Sequence, residues 1–212
     1  FDTRLAYAED ALFIQQIMMK KRTLGLVSSC CYRYRVRKSG QASAIQSGAQ
    51  KPQWYLPVLK YFHCQLIETA ISKLGCVPRY IQYVLMYDLK WRFRRTSLSN
   101  DILSDDEAEE YLNAIKKVVR HIDDDIIMAE KNIFREHKIR ILKLKYGREP
   151  EKIIKENDVV FMFSPDATFK VSKNLVNIDF LDIENSVLKI EGFVSQFNLD
   201  YGKKEISVSY TH

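Results

Sequence analysis

The chain has 212 residues, 46% of them hydrophobic and 28% charged, with a net charge of +6; this is a globular composition, long enough to bury a core. Seven glycines and five prolines are too few for long disordered linkers, and no apolar run approaches the roughly 18–20 residues of a membrane span. Cys30, Cys31, Cys64 and Cys76 lack metal-ligand spacing, which argues against a zinc module or disulfide framework and for reduced cytosolic thiols.

Charge is informative by segment. From Ala11 to Arg95 there are fifteen Lys and Arg against only Glu68 and Asp88. The rest of the chain is net acidic. Such a stretch is either a solvated basic face or a surface that meets phosphates, nucleic acid or lipid headgroups.

In chain order, apolar Leu12, Phe13, Ile17 and Met18 recur at a period near 3.6 and predict a helix over 8–21. "LGLVSSCCYRY" (24–34) reads as a strand rich in Val, Cys and Tyr. "RKSGQASAIQSGAQKPQ" is a loop by composition. "WYLPVLKYFHCQLIETAISKLG" carries a helical apolar period and stops at Gly75. "PRYIQYVLMYDLKWRFRR" opens on Pro78 at a first-turn position and ends in a basic cluster that suits the negative end of a helix dipole. Ser104 followed by Glu107 predicts a capping box. One or two further helices are expected from Asp123 to Tyr146, before Gly147 and Pro150. The period then changes. "DVVFMFS", "TFKVSKNL", "VNIDFLDIEN", "SVLKIEGFVSQF" and "KEISVSYTH" alternate as strands, with "ENS" as a hairpin turn. The fold class expected is α+β, with a bundle-like helical middle and a β-sandwich-like end.

Two stretches carry candidate chemistry. "YAEDALF" sets Glu9 and Asp10 at a helix entry. There a carboxylate either meets the helix dipole, for a few tenths of a kcal/mol, or acts as a general base with its neighbour orienting it. "YRYRVRKSGQASAI" places Arg33, Arg35 and Arg37 on one strand face, ahead of a loop of small hydroxylated residues. Arginine is suited to bidentate phosphate recognition, and a solvated basic strand face is the plainer reading.

Taken together, a helix opening on "ED", a strand ending in "YRVR" and a Gly/Ser loop with "ASA" resemble the family 2 glycosyltransferases of GT-A fold. They resemble above all the type that builds bacterial capsules and wall teichoic acids. The resemblance makes residues 1–50 the C-terminal remnant of the GT-A catalytic domain, 51–148 a helical region and 149–212 a β-rich domain that is truncated. It implies an inverting transfer from a nucleotide-sugar donor to a glycopolymer or lipid-linked acceptor. Asp10 would be the catalytic base, Glu9 its acceptor-side neighbour, and Arg35, Arg37 and Ser43 the contacts to the donor diphosphate. The inserted "KSGQ" leaves Ser39 as the alternative serine. A divalent Mg or Mn ion is implied in the intact enzyme, with its Asp-x-Asp ligands in a half that precedes "ED"; the chain by itself is therefore expected to lack transferase activity. No metal site is expected in it.

The remaining candidates are weaker. "DDD" (123–125) reads as a helix N-terminus. His63 and Cys64, about 100° apart on a helix, do not face each other, and His121 and His137 lack ligand partners at useful spacing. The helix over 80–95, with Tyr83, Tyr87, Trp91 and Phe93, is either core with a basic end or a face laid on an anionic membrane surface. No nucleic-acid-binding signature is found. A cytoplasmic location, peripheral at the inner membrane face, is expected. The alternative function is a non-catalytic basic module that binds anionic polymer or membrane.

Overall fold

The computed structural model describes residues 2–25, 27–29, 31, 48–94, 102–155, 158–172, 176–184 and 187–194. It has the expected α+β class. Two compact units are resolved: Phe1–Pro150 with Phe163–Ala167, and Glu151–Met162 with Thr168–His212.

The first unit is helical. α1 (Glu9–Lys21) buries Leu12 and Met19, while Phe13, Ile14 and Ile17 are 43–50% exposed. The core-facing stripe expected through Phe13 and Ile17 is thus turned by part of a turn. Docking fixes this: Arg4, just before the helix, donates to Gln65 at 3.2 Å and lies 4.3 Å over the Tyr61 ring, so the rotation is set from outside α1. Of the strand expected over 24–34, the described residues Leu24, Gly25, Val27, Ser28, Ser29 and Cys31 are not in a strand. The rest of that run, and the loop up to residue 47, lie outside the described residues.

Two 3₁₀ turns, Gly48–Gln50 and Pro52–Trp54, lead into α2 (Leu56–Val58). A π-helical stretch, Leu59–Cys64, and α3 (Gln65–Leu74) continue the same rod. Leu59, Phe62, Leu66 and Ala70 point inward and are essentially inaccessible. Gly75, at φ 75°, ends α3 by donating to the Ile71 carbonyl; this left-handed position is one that glycine fills without steric cost. α4 (Arg79–Phe93) contributes Ile81, Leu85, Met86 and Leu89 to the core. α5 (Asp105–Val119) opens on the expected box: Ser104 Oγ accepts from Glu107 N–H, and the Glu107 carboxylate accepts from Ser104 N–H at 2.9 Å. α6 (Asp124–Ala129) and α7 (Arg135–Tyr146) complete the unit, and Ile122, Ile126, Ile127, Ile141 and Leu142 are fully buried between the helices.

The strands form two sheets. β1 (Glu151–Ile154), β2 (Asp158–Ser164) and β3 (Ala167–Ser172) lie in that order, with β1 antiparallel to β2 from Glu151↔Met162 to Ile154↔Val159. β4 (Val176–Glu184) and β5 (Val187–Val194) form an antiparallel hairpin closing at Glu184↔Val187, as "ENS" predicts, with a register shift between Ile178 and Phe180. The run "KEISVSYTH" lies outside the described residues.

Candidate functional site

The Glu9-Asp10 corner follows an unusual turn. Ala8 holds φ 64° and ψ 15°, a left-handed conformation on a non-glycine residue, and no side chain caps α1. That conformation costs on the order of 1–2 kcal/mol for an L-residue. Ala8 still starts the helix, since its carbonyl accepts from Leu12 N–H at 2.9 Å. Glu9 is half-buried and Asp10 exposed, with Asp10 Oδ1 taking the Ala11 N–H at 2.7 Å. Arg35, Arg37, Ser43 and Ser39 lie outside the described residues. The expected base is therefore placed at an accessible corner, while its expected diphosphate partners carry no geometry.

Two residues ahead of Glu9, Tyr7 meets a partly buried cluster of the helical unit. Tyr7 packs on Gly48: a Cβ there would lie 3.2 Å from Tyr7 Cε1 and 3.1 Å from Trp54 Cδ1, tighter than ordinary contact, so glycine lets both rings approach without displacement. Tyr55 Oη donates to the Ala49 carbonyl at 2.8 Å and fixes the first 3₁₀ turn. Trp54 is gripped twice by Arg92, whose Nη1 donates to its carbonyl at 2.6 Å and whose guanidinium lies 4.2 Å over its ring. Arg92 Nε donates to Asp88 Oδ2 at 2.9 Å, one helical turn back. His63 Nε2 comes within 3.1 Å of the same oxygen, without the alignment of a hydrogen bond. Burial raises the cost of every charge in this cluster. Against it, Arg92 holds the Asp88 carboxyl well below the usual range, and Asp88 in turn holds the Arg92 proton. For His63 burial prevails over the attraction of Asp88, and its pKa is lowered. Sequence reasoning missed this network. Its members are 4 to 38 residues apart, and no local spacing announces it.

A cleft of about 560 Å³ is lined by Arg79, Asp123, Asp124, Asp125, Lys145, Tyr146, Ser164 and Asp166. Asp124, 7% exposed, is its hub. It accepts from Lys145 Nζ at 2.6 Å, from Tyr146 Oη at 2.5 Å and from Ser164 Oγ. Burial opposes ionisation, but these hydrogen bonds outweigh it and hold the carboxyl below its ordinary value. Arg79 forks onto Asp125 and also reaches Asp123 at 3.2 Å. Asp123 stands at the N-cap position and the next two residues in the first turn of α6, as read from "DDD". Each carboxylate of that run already has a cationic partner, and among the described residues no group of three or more His, Cys, Asp or Glu is arranged to hold a metal ion.

α4 divides its aromatic residues. Tyr80, Tyr83, Tyr87 and Trp91 are 38–61% exposed along one face, opposite the buried aliphatic stripe. Arg94 lies 5.1 Å over Trp91, Lys90 4.1 Å over Tyr87 and Arg79 5.9 Å over Tyr83. No described helix is long and apolar enough to cross a membrane. His63 is fully buried while Cys64 is half-buried, and burial pushes the Cys64 thiol up. A neutral thiol is a poor nucleophile, so the two make no thiol–imidazole pair.

Fold and site together define an α+β protein with an accessible carboxylate corner and, in the same helical unit, a buried polar network. Over 199 residues, 92% of its length, the chain is 30% identical to the minor teichoic acid biosynthesis protein GgaB of Bacillus subtilis (strain 168). Over 132 residues, 61% of its length, it is 25% identical to the minor teichoic acid biosynthesis protein GgaA of the same strain. The chain is a homologue of these proteins, as the likeness to the wall teichoic acid type leads one to expect. It spans 22% of GgaB and 29% of GgaA. No family model and no solved structure matches it.

Proposed function

We propose that this chain is part of an inverting, family 2 glycosyltransferase that moves a sugar from a nucleotide-sugar to a hydroxyl of a teichoic acid or related cell-surface glycopolymer. The observation that carries this reading is the identity with GgaB across 92% of the chain. An acceptor hydroxyl is a weak nucleophile, and a carboxylate within hydrogen-bond reach takes its proton as the oxygen attacks the anomeric carbon. Asp10, exposed at the head of α1, is the group assigned to that step, with Glu9 beside it. As the new C–O bond forms, the bond to the nucleoside diphosphate breaks, and Arg35, Arg37 and Ser43 are assigned to the departing charge. No step is routed through a metal ion. The acceptor is carried on a lipid at the inner face of the membrane. There the exposed aromatic face of α4 meets the headgroup layer and Arg94 meets anionic lipid.

The test is turnover of nucleotide-sugars by the intact protein and its Asp10→Asn variant. Loss of a general base is worth about 10²–10⁴-fold in kcat, so Asp10→Asn is expected to lose at least a hundredfold with little change in acceptor KM. Wild-type rates in that variant remove Asp10 from the mechanism, and an intact protein that turns over no nucleotide-sugar removes the transferase. Co-sedimentation with phosphatidylglycerol vesicles at low salt checks the membrane contact; its absence at Trp91→Ala and its presence in the wild type are the expected pair.

A further inference from the structure

We propose that Arg92 and Gly48, neither of which touches the reacting groups, are positioning residues that set the Glu9-Asp10 corner for proton transfer; this rests on the reading of Asp10 as the base. Three observations converge. First, Ala8 is held left-handed immediately before Glu9, a conformation that persists only where the surroundings over-determine it. Nothing in α1 itself requires it, since the helix gains no side-chain cap there. Second, the residue before it, Tyr7, lies against Gly48 and shares that position with Trp54, so that a Cβ there would press on both ring edges and shift them by a few tenths of an ångström. Third, Trp54 is anchored by Arg92 through both its carbonyl and its ring, and Arg92 is anchored by Asp88.

The buried side chain of Arg92 therefore connects to the carboxylate corner in a short series: guanidinium to Trp54, Trp54 and Tyr7 to the two sides of Gly48, and Tyr7 along the chain through Ala8 to Glu9 and Asp10. Two further features mark the network as specific. The buried guanidinium faces Asp88 and Tyr111, and burying it carries a desolvation cost that an aliphatic side chain filling the same space would avoid. The cation is retained for its bond to the Trp54 carbonyl, which an aliphatic side chain cannot make. Gly48 is buried with φ outside the left-handed region, so glycine serves there for space, not for backbone freedom.

In the intact protein, kcat, the two KM values and the melting temperature are measured for Gly48→Ala, Arg92→Lys and Arg92→Met, beside Asp10→Asn. A displaced catalytic group lowers kcat steeply while substrate binding persists. Arg92→Met is expected to lose about tenfold or more in kcat, with acceptor KM within about twofold. Arg92→Lys recovers part of the loss, because an ammonium still reaches the Trp54 carbonyl. Gly48→Ala lowers kcat by about three- to tenfold with the melting temperature nearly unchanged, since its methyl group displaces only two ring edges. If Arg92→Met fails to fold, Gly48→Ala decides. Wild-type kcat in folded Gly48→Ala and Arg92→Met, with Asp10→Asn inactive, overturns this inference alone. Wild-type kcat in Asp10→Asn overturns the assignment of the base and this inference with it.

Discussion

His63 shows how one buried side chain ties stability to pH. It sits on the π-helical stretch with no measurable exposure, facing Asp88 and Arg92 of α4. Burial lowers its pKa more than Asp88 raises it. The unfolded imidazole takes up a proton near pH 6.5, while the folded one resists doing so. Below that pH the unfolded state binds more protons, so stability is complete above about pH 6.5 and falls as pH drops. His121 and His137 are lowered by burial in the same direction, and the wild-type slope sums all three. We expect the melting temperature to fall between pH 7.5 and 5.5. His63→Gln should flatten that fall by up to about 1.4 kcal/mol per pH unit in the underlying free energy. Thermal melts at several pH values check this, and an unchanged slope in the variant would mean that folded His63 takes up its proton as readily as the unfolded imidazole does. Nothing in the sequence revealed His63 as a network member. A helical period marks it as inward-facing, but the carboxylate that meets it lies 25 positions on, in another helix.

At the scale of elements, what was legible in the sequence is what is decided locally. The Ser104–Glu107 box is an exchange of hydrogen bonds within four residues, and "DDD" and "ENS" are likewise settled by their own neighbours. Replacing an N-cap serine by alanine typically costs about 1 kcal/mol. Ser104→Ala is accordingly expected to lower stability by about that amount without altering the core, as chemical denaturation would measure; a loss under a few tenths would mean that α5 is held by packing alone. What sequence did not give is what neighbours impose. The Phe13–Ile17 stripe of α1 faces outward because Arg4, Gln65 and Tyr61 set the rotation of the helix. β1 went unread because "EKII" has only four residues and exists through its register with β2. The π-helical turn leaves no mark in the apolar period. The same division runs through the candidate site. Asp10 was singled out because "ED" is a local motif, whereas the contacts among Tyr7, Gly48, Trp54 and Arg92 join segments remote in the chain.

At the scale of the whole molecule, the helical unit runs to Pro150, where the sequence period switches, and takes in one later segment as well. The turn Phe163–Ala167 belongs to the helical unit, although it lies within the β-rich sequence. The reasons are specific contacts. Arg148 Nη2 donates to the Phe163 carbonyl at 2.6 Å, the Phe163 ring stacks on Tyr146 at 5.9 Å, and Ser164 supplies one of the three donors to Asp124. Phe163 is 3% exposed and Ala167 fully buried. Removing a buried phenylalanine ring costs about 3–5 kcal/mol, and for a chain of this size 1 kcal/mol shifts the melting temperature by about 2–4 °C. Phe163→Ala should therefore lower the melting of the helical signal at 222 nm by roughly 6 °C or more. Asp124→Asn, which keeps two acceptor sites while losing the charge that Lys145 faces, should act on the same transition. A helical melt that does not move with Phe163→Ala would return residues 163–167 to the sheet unit. In that case Lys145, 15% exposed and bonded to Asp124 and the Ile122 carbonyl, would have to hold the Asp124 carboxylate without help from the strand turn.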